Sequence, residues 1–278
     1  MRIRRFVGAV RRFTGRVIRR FRQDRCQRVA GALSFTTIMA IVPLTAVMLS
    51  VLSLFPVFNT WMGLIQEFVY ANFVPAAGDV VRKYLTQFAA QAGRLTAVGL
   101  VFLFVTSIML MATIEEVFND IWRIEITRRW VHRFLAYWAF LTLGPILLAA
   151  SLVLATKLFT ALPFAAATET TLLNELFDVA LPVMLKFAAA LLLYMVVPNT
   201  SVDWRHALAG AGFAVVMLEI ARVLFAESMR FFISSYKIVY GAVAALPIFL
   251  LWIYISWTIV LVGAIVTAVL GERAAARS

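Results

Sequence analysis

Six stretches of this 278-residue chain are long and apolar enough to cross a bilayer, and that feature constrains the fold more than any motif. A hydrocarbon core of about 30 Å takes on the order of 20 helical residues to span. The stretches lie at 33–55, 95–114, 134–156, 179–197, 206–226 and 242–270. In lipid every backbone N–H and C=O must be satisfied within the segment, which leaves only helices for runs of this length and composition. The sequence therefore predicts an all-α polytopic membrane bundle of about six transmembrane helices with amphipathic surface helices. Hydrophobic residues make up 63% of the chain, well beyond the share of about 45–50% in soluble domains.

Charge placement orients the bundle. The net charge is +12, although only 14% of residues are charged. Eleven arginines, from Arg2 to Arg28, precede the first span, and the 115–133 loop holds Arg123, Arg128, Arg129 and Arg133. Arg205 lies in the short turn before span five, and Arg273 and Arg277 close the tail. Basic residues mark cytoplasmic flanks, so both termini are expected inside. Such a chain belongs in a membrane, which it crosses several times. Trp122, Trp130, Trp138, Trp204, Trp252 and Trp257 suit interfacial anchoring or bundle packing.

Residues 1–28 lack the cleavage pattern of a signal peptide, because arginines keep interrupting the apolar stretch. Phe6, Val10, Phe13, Val17 and Phe21 recur every three or four residues and form one apolar stripe on a basic helix. The expectation is a helix in the headgroup plane, with the phenylalanines in the acyl boundary. Arg4, Arg5, Arg11, Arg12, Arg16, Arg19 and Arg20 would then touch anionic phospholipid of the cytoplasmic leaflet. The plainer alternative is a disordered basic tail. Residues 29–272 form the six-span domain, and 273–278 a short cytoplasmic tail. Within the domain, 59–92 reads as two outer amphipathic helices. Trp61, Leu64, Ile65 and Phe68 share one face and Val80, Val81, Tyr84, Leu85 and Phe88 another, with the VPAAGD breaker at 74–79 between them. They could cover a cavity or only shield the bundle.

Enzyme chemistry finds little support. The only nitrogen or sulfur ligands of metal type are His132, His206 and Cys26, and protease, esterase and phosphate-loop motifs are missing. No cofactor is implied, and the lone cysteine can form no disulfide within the chain. Aromatic residues lie in the spans instead of beside the basic patch on a soluble fold, which argues against nucleic acid as a partner. Homo-oligomerisation is not decided by the sequence.

Ionisable groups inside the spans are the informative exceptions, since a charge at mid-bilayer costs at least about 2.5–3.5 kcal/mol. Lys186 interrupts span four, and Glu219 and Arg222 interrupt span five. At about 1.5 Å per residue Lys186 and Glu219 reach similar depth on consecutive antiparallel helices, so they are expected to face the bundle interior and pair or bridge through water. Arg222, three residues on, competes for the same carboxylate. The trio is a candidate polar site or an ion network that only fixes packing. Glu115, Glu116 and Asp120 form a second candidate cluster, on the inner side, either a polar gate or only a solvated helix end. Small residues at 207, 209–212 and 214, and Gly263, Ala264, Thr267 and Ala268, make close-packing seams.

The run GALSFTTIMAIVPLTAVMLSVLSLFPVF at 31–58 resembles the first-span signature of the YihY/virulence factor BrkB family of bacterial inner-membrane proteins. ANFVPAAGDVVRKYLTQF at 71–88, IWR at 121–123, AYWAFLTLGPILLAASL at 136–152 and YGAVAALPIFLLWIYISWTIVLVGA at 240–264 resemble it in order. The resemblance implies a six-span fold in a Gram-negative inner membrane and, at family level, envelope lipid handling. It supplies no catalytic residue, and the scarcity of metal ligands argues against the ribonuclease BN label once given to this family. Two functions compete: a transporter or facilitator for an amphiphile such as a lipid or lipid precursor, and a non-transporting scaffold for envelope partners.

Reporter fusions after Arg28, Arg128 and Arg277 should read cytoplasm, and fusions near Gly78, Thr170 and Ser235 the opposite side. A C-terminal reporter on the outer side would remove span four or five.

Overall fold

The computed structural model describes residues 2–52, 97–124, 171–240 and 245–275, with side chains mainly within 11–40, 105–124, 182–229 and 247–272. The expected span at 134–156, the surface helices at 59–92, and Trp130, His132 and Trp138 lie outside the described residues. Those described form six helices and no strand. They are α1 (Arg2–Gln23), α2 (Cys26–Leu52), α3 (Ala97–Ile121), α4 (Thr171–Val196), α5 (Trp204–Tyr240) and α6 (Ala245–Ala275).

Each of the five span-bearing helices runs past its expected apolar limit at one end at least. α3 continues through Glu115, Glu116 and Asp120 to Ile121, and α5 extends well beyond residue 226. Hydropathy marks where lipid contact stops, whereas the helix continues while its backbone bonds have partners. Trp204–Met229 and Pro247–Glu272 are themselves long and apolar enough to cross a membrane, and Pro182–Val196 is a shorter apolar helix.

Helix α6 is the hub, packing against all five others, most extensively α5 and α2; α2 also packs on α3, and α4 on α5. The starts of α2 and α5 meet the ends of α3, α4 and α6 at one end of the bundle, where α1 docks. This is the basic end.

The core explains itself in side-chain size. Ala207, Ala211 and Ala214 of α5 and Leu261, Ala264 and Ile265 of α6 are fully or almost fully buried. Phe213, Val216, Ile220, Val223 and Leu224 line the opposite face of α5 and stay exposed, as do Phe35 and Met39 on α2. Small residues inside and large apolar ones outside is the pattern of a bundle whose solvent is lipid, where close backbone packing takes over from hydrophobic burial. A Cβ on Gly210 would run into Thr267 and come within 2.6 Å of the Gly263 carbonyl oxygen. One on Gly263 would meet the Tyr194 hydroxyl and the Ala214 Cβ. Tyr194, wholly buried, donates to the Val260 carbonyl at 2.8 Å, tying α4 to α6. Trp257 Nε1 donates to Thr37 Oγ1 at 3.0 Å, tying α6 to α2. Trp252 stacks at a tilt on Phe225, ring centroids 5.1 Å apart, and extends the α5–α6 contact away from the basic end.

Gly210→Val should overpack the seam and destabilise the protein by about 1–3 kcal/mol. Gly31, inside α2 with open space where a Cβ would stand, should instead gain about 0.5–1 kcal/mol on Gly31→Ala. Thermal unfolding of both variants in one detergent checks the seam; an unchanged midpoint for Gly210→Val would contradict it.

Candidate functional site

Polar side chains gather at two levels of the bundle. The first is the basic end. α1 ends at Gln23, and Arg25 turns the chain into α2 with a left-handed φ of 49°. The break falls at 24–25, so α2 begins ahead of the expected boundary at residue 28. α3 ends in a Schellman turn: Ile124 N–H donates to the Asn119 carbonyl and Arg123 N–H to that of Asp120, at 2.9 and 3.1 Å. Arg123 takes the left-handed position usually given to glycine, with φ 59°. It is held there by an ion pair to Asp24, 2.5 Å away.

Arg20 locks this junction. Its guanidinium donates to the Ile121 carbonyl at 2.6 Å and to Glu272 of α6 at 2.5 Å, and stands 3.8 Å from Asp24. Only 8% of Arg20 is exposed, so the expectation that it touches lipid is wrong; the bundle takes it instead. The α1 stripe behaves in the same way. Val17 is buried, and Phe13 and Phe21 pack against the core. An apolar stripe fits lipid and protein alike, and here the end of the bundle offers a matching surface. Arg11, Arg12 and Arg19 remain exposed and Arg16 half-buried, while the side chains of Arg4 and Arg5 lie outside the described residues.

Helical phase divides the α3 acidic cluster. Glu115 is buried, with Asn119 one turn on beside it; Glu116 and Asp120 are exposed. Asn119 Oδ1 accepts the backbone N–H of Asn199 at 2.8 Å and so fixes the α4–α5 turn. Asp203 caps α5, its carboxylate accepting Arg205 N–H at 2.8 Å. Between this turn, α3 and the end of α6 opens a cavity of about 380 Å³, lined by Trp122, Thr200, Ser201, Asp203, His206 and Glu272 among others. The sequence offered His206 only as one of three scattered metal-type ligands. Nothing in a linear pattern joins it to Glu272.

The second level lies along α4 and α5, where Lys186 Nζ donates to Glu219 Oε1 at 2.7 Å and Arg222 Nε to Glu219 Oε2 at 2.9 Å. Depth arithmetic brought Lys186 and Glu219 together, and they pair. Arg222 does not compete, because each carboxylate oxygen serves one cation. Side-chain exposure rises from 8% at Lys186 through 24% at Glu219 to 38% at Arg222, so the trio runs from interior to surface. Thirteen residues of α5, about 20 Å, separate Glu219 from His206. The small-residue seam fills the interval. Among the described residues no three His, Cys, Asp or Glu side chains gather as a metal site would require.

Cys26 reports on the docking of α1. Burial, with Asp24 beside it, pushes its thiol up to about 11. At neutral pH only about one such thiol in ten thousand is ionised. Maleimide labelling of the detergent-solubilised protein should therefore be slow, rising as pH approaches 11. Arg20→Met, which strips partners from Ile121 and Asp24, should cost about 1–3 kcal/mol and speed labelling. Arg19→Gln should change stability by less than about 0.5 kcal/mol.

Comparison with known proteins gives these features a family. The family described as Virulence factor BrkB matches residues 17–278. A UPF0761 membrane protein of Chromohalobacter salexigens is 42% identical over 270 residues, 97% of this chain and 66% of its own length. One from Pseudomonas paraeruginosa is 47% identical over 251 residues, 88% of this chain and 59% of its own. One from Photobacterium profundum is 44% identical over 258 residues, 92% of this chain and 79% of its own. The chain thus spans about six tenths to two thirds of the length of the first two. No solved structure matches it. With a match that takes in the α1 junction, the α3 turn, the charged trio and the seam together, this all-α chain belongs to the virulence factor BrkB family of membrane proteins.

Proposed function

We propose that the chain is a transporter or facilitator that moves an amphiphilic envelope component, such as a lipid or lipid precursor, in a bacterial inner membrane. The observation that carries this reading is the Lys186–Glu219–Arg222 trio, which leads from the interior to the flank of α5 where Val223 is exposed. Charge beside lipid-facing apolar surface is what an amphiphile's polar head and tails require. A polar group in a span is costly, and its retention marks a functional candidate. Both termini are cytoplasmic in this reading, with the α1 arginines against the anionic leaflet. The polar cavity at the basic end is then a second station, separated from the trio by the seam. No enzymatic step is part of the proposal.

A scaffold without transport is the second reading. The seam itself favours it, because Gly210, Gly263, Thr267 and Tyr194 leave no room between α4, α5 and α6. A docked α1 with arginines facing outward would serve to recruit partners.

Reconstitution separates the two. Protein in vesicles carrying a labelled anionic lipid should speed its passage between leaflets, and Lys186→Met with Glu219→Gln should abolish the gain while leaving the protein folded. Unchanged lipid movement across varied lipid compositions and energisation would favour the scaffold.

A further inference from the structure

We infer that Arg222 is a docking point for the anionic headgroup of a lipid, and that the trio selects anionic over zwitterionic amphiphiles. The inference deepens the transport reading and rests on it for its biological sense, but it concerns binding alone.

Charge count is the first argument. Lys186 and Arg222 bring two positive charges and Glu219 one negative, so the trio carries a net +1. Glu219 is used on both oxygens. The Arg222 guanidinium gives its Nε–H to Glu219, and its two terminal nitrogens have no partner among the described residues. A planar fork of this kind suits a phosphate or carboxylate oxygen pair.

Position is the second. Trp204 is exposed at the start of α5, with the Arg205 guanidinium 5.5 Å from its ring centre, as an interfacial anchor would be. Arg222 lies eighteen residues further along α5, about 27 Å, close to the thickness of a hydrocarbon core of about 30 Å. A long arginine at that depth reaches the headgroup layer on the side opposite the basic end. Val223, next to Arg222 and one turn on from Glu219, is 55% exposed, an apolar surface for an acyl chain. A free phosphate would satisfy the fork and leave that surface unused, so the ligand is lipid.

The test is native mass spectrometry of the full chain in neutral detergent, with phosphatidylglycerol, phosphatidylcholine and water-soluble glycerol phosphate as probes. The wild type should retain phosphatidylglycerol over phosphatidylcholine and should not lose it to millimolar glycerol phosphate. Arg222→Gln should hold one phosphatidylglycerol fewer, or hold it about tenfold more weakly. The same loss should appear on an Arg11→Gln/Arg12→Gln/Arg19→Gln/Arg22→Gln background, which removes the contribution of the exposed α1 arginines whose side chains are described. Glu219→Gln raises the trio to +2 and should tighten phosphatidylglycerol retention; it decides the matter if Arg222→Gln is not recovered. Equal retention of both lipids by the wild type, undiminished retention by Arg222→Gln, or unchanged or weaker retention by Glu219→Gln would overturn the inference. Glycerol phosphate displacing the lipid would assign the fork to free phosphate. Selective binding without lipid movement in vesicles would leave this site standing and defeat transport; movement without selective binding would do the reverse.

Discussion

The backbone-to-backbone approach of α5 and α6 is the contact on which the other helices depend. Lipid tails are as apolar as leucine, so helices in a bilayer gain little from burying leucine against leucine. They gain from contact area and hydrogen bonds instead. Gly210 and Gly263 bring the two helices close enough for Ala207, Ala211, Ala214 and Ala264 to disappear from the surface. With α6 fixed in this way, Tyr194 bonds its Val260 carbonyl and Trp257 bonds Thr37, and α4 and α2 take their places. Phe118, stacked between Trp122 and Tyr194, then ties the end of α3 to the end of α4.

The basic end uses a different currency. There the apolar stripe of α1 supplies area while Arg20 supplies direction, reaching the ends of both α3 and α6. A carbonyl in the last turn of a helix has no partner of its own within that helix. Ile121 is such a carbonyl, and the negative end of the α3 dipole favours the cation that meets it. The two left-handed arginines, 25 and 123, sit on either side of Asp24 in the same junction. A non-glycine residue in that conformation costs about 1–2 kcal/mol, so the packing and ion pairs around Asp24 must outweigh two such costs.

Much of this was legible in the sequence, for identifiable reasons. Span-length apolar runs, the small residues around 210 and 263, and the similar depth of Lys186 and Glu219 all follow from helix geometry; among the described residues five of the six expected spans, the seam and the pair are there. The fate of α1 was not legible. Its stripe has the right period for any apolar surface, and period cannot say whether lipid or protein covers it. The division of Glu115 from Glu116 was half legible: a rotation of about 100° per residue separates them, but only the position of α3 against its neighbours decides which one is buried. The basic-end cavity needed the turn at 198–203 folded back on α3 through Asn119, a contact eighty residues apart in sequence.

Glu219 shows how the trio can be tolerated without being inert. A lone Lys186 at this depth would carry the cost of a buried charge, and a closed Lys–Glu pair would cancel it with nothing left to offer. Adding Arg222 through the second carboxylate oxygen leaves the pair intact and restores one positive charge, now at the exposed edge of the network. A chain needing only to pack α4 on α5 could do so with the small-residue contacts it already uses between α5 and α6. On the proposed reading, the surplus charge beside Val223 is what would draw molecules that are both apolar and negative, a preference that packing alone would not create.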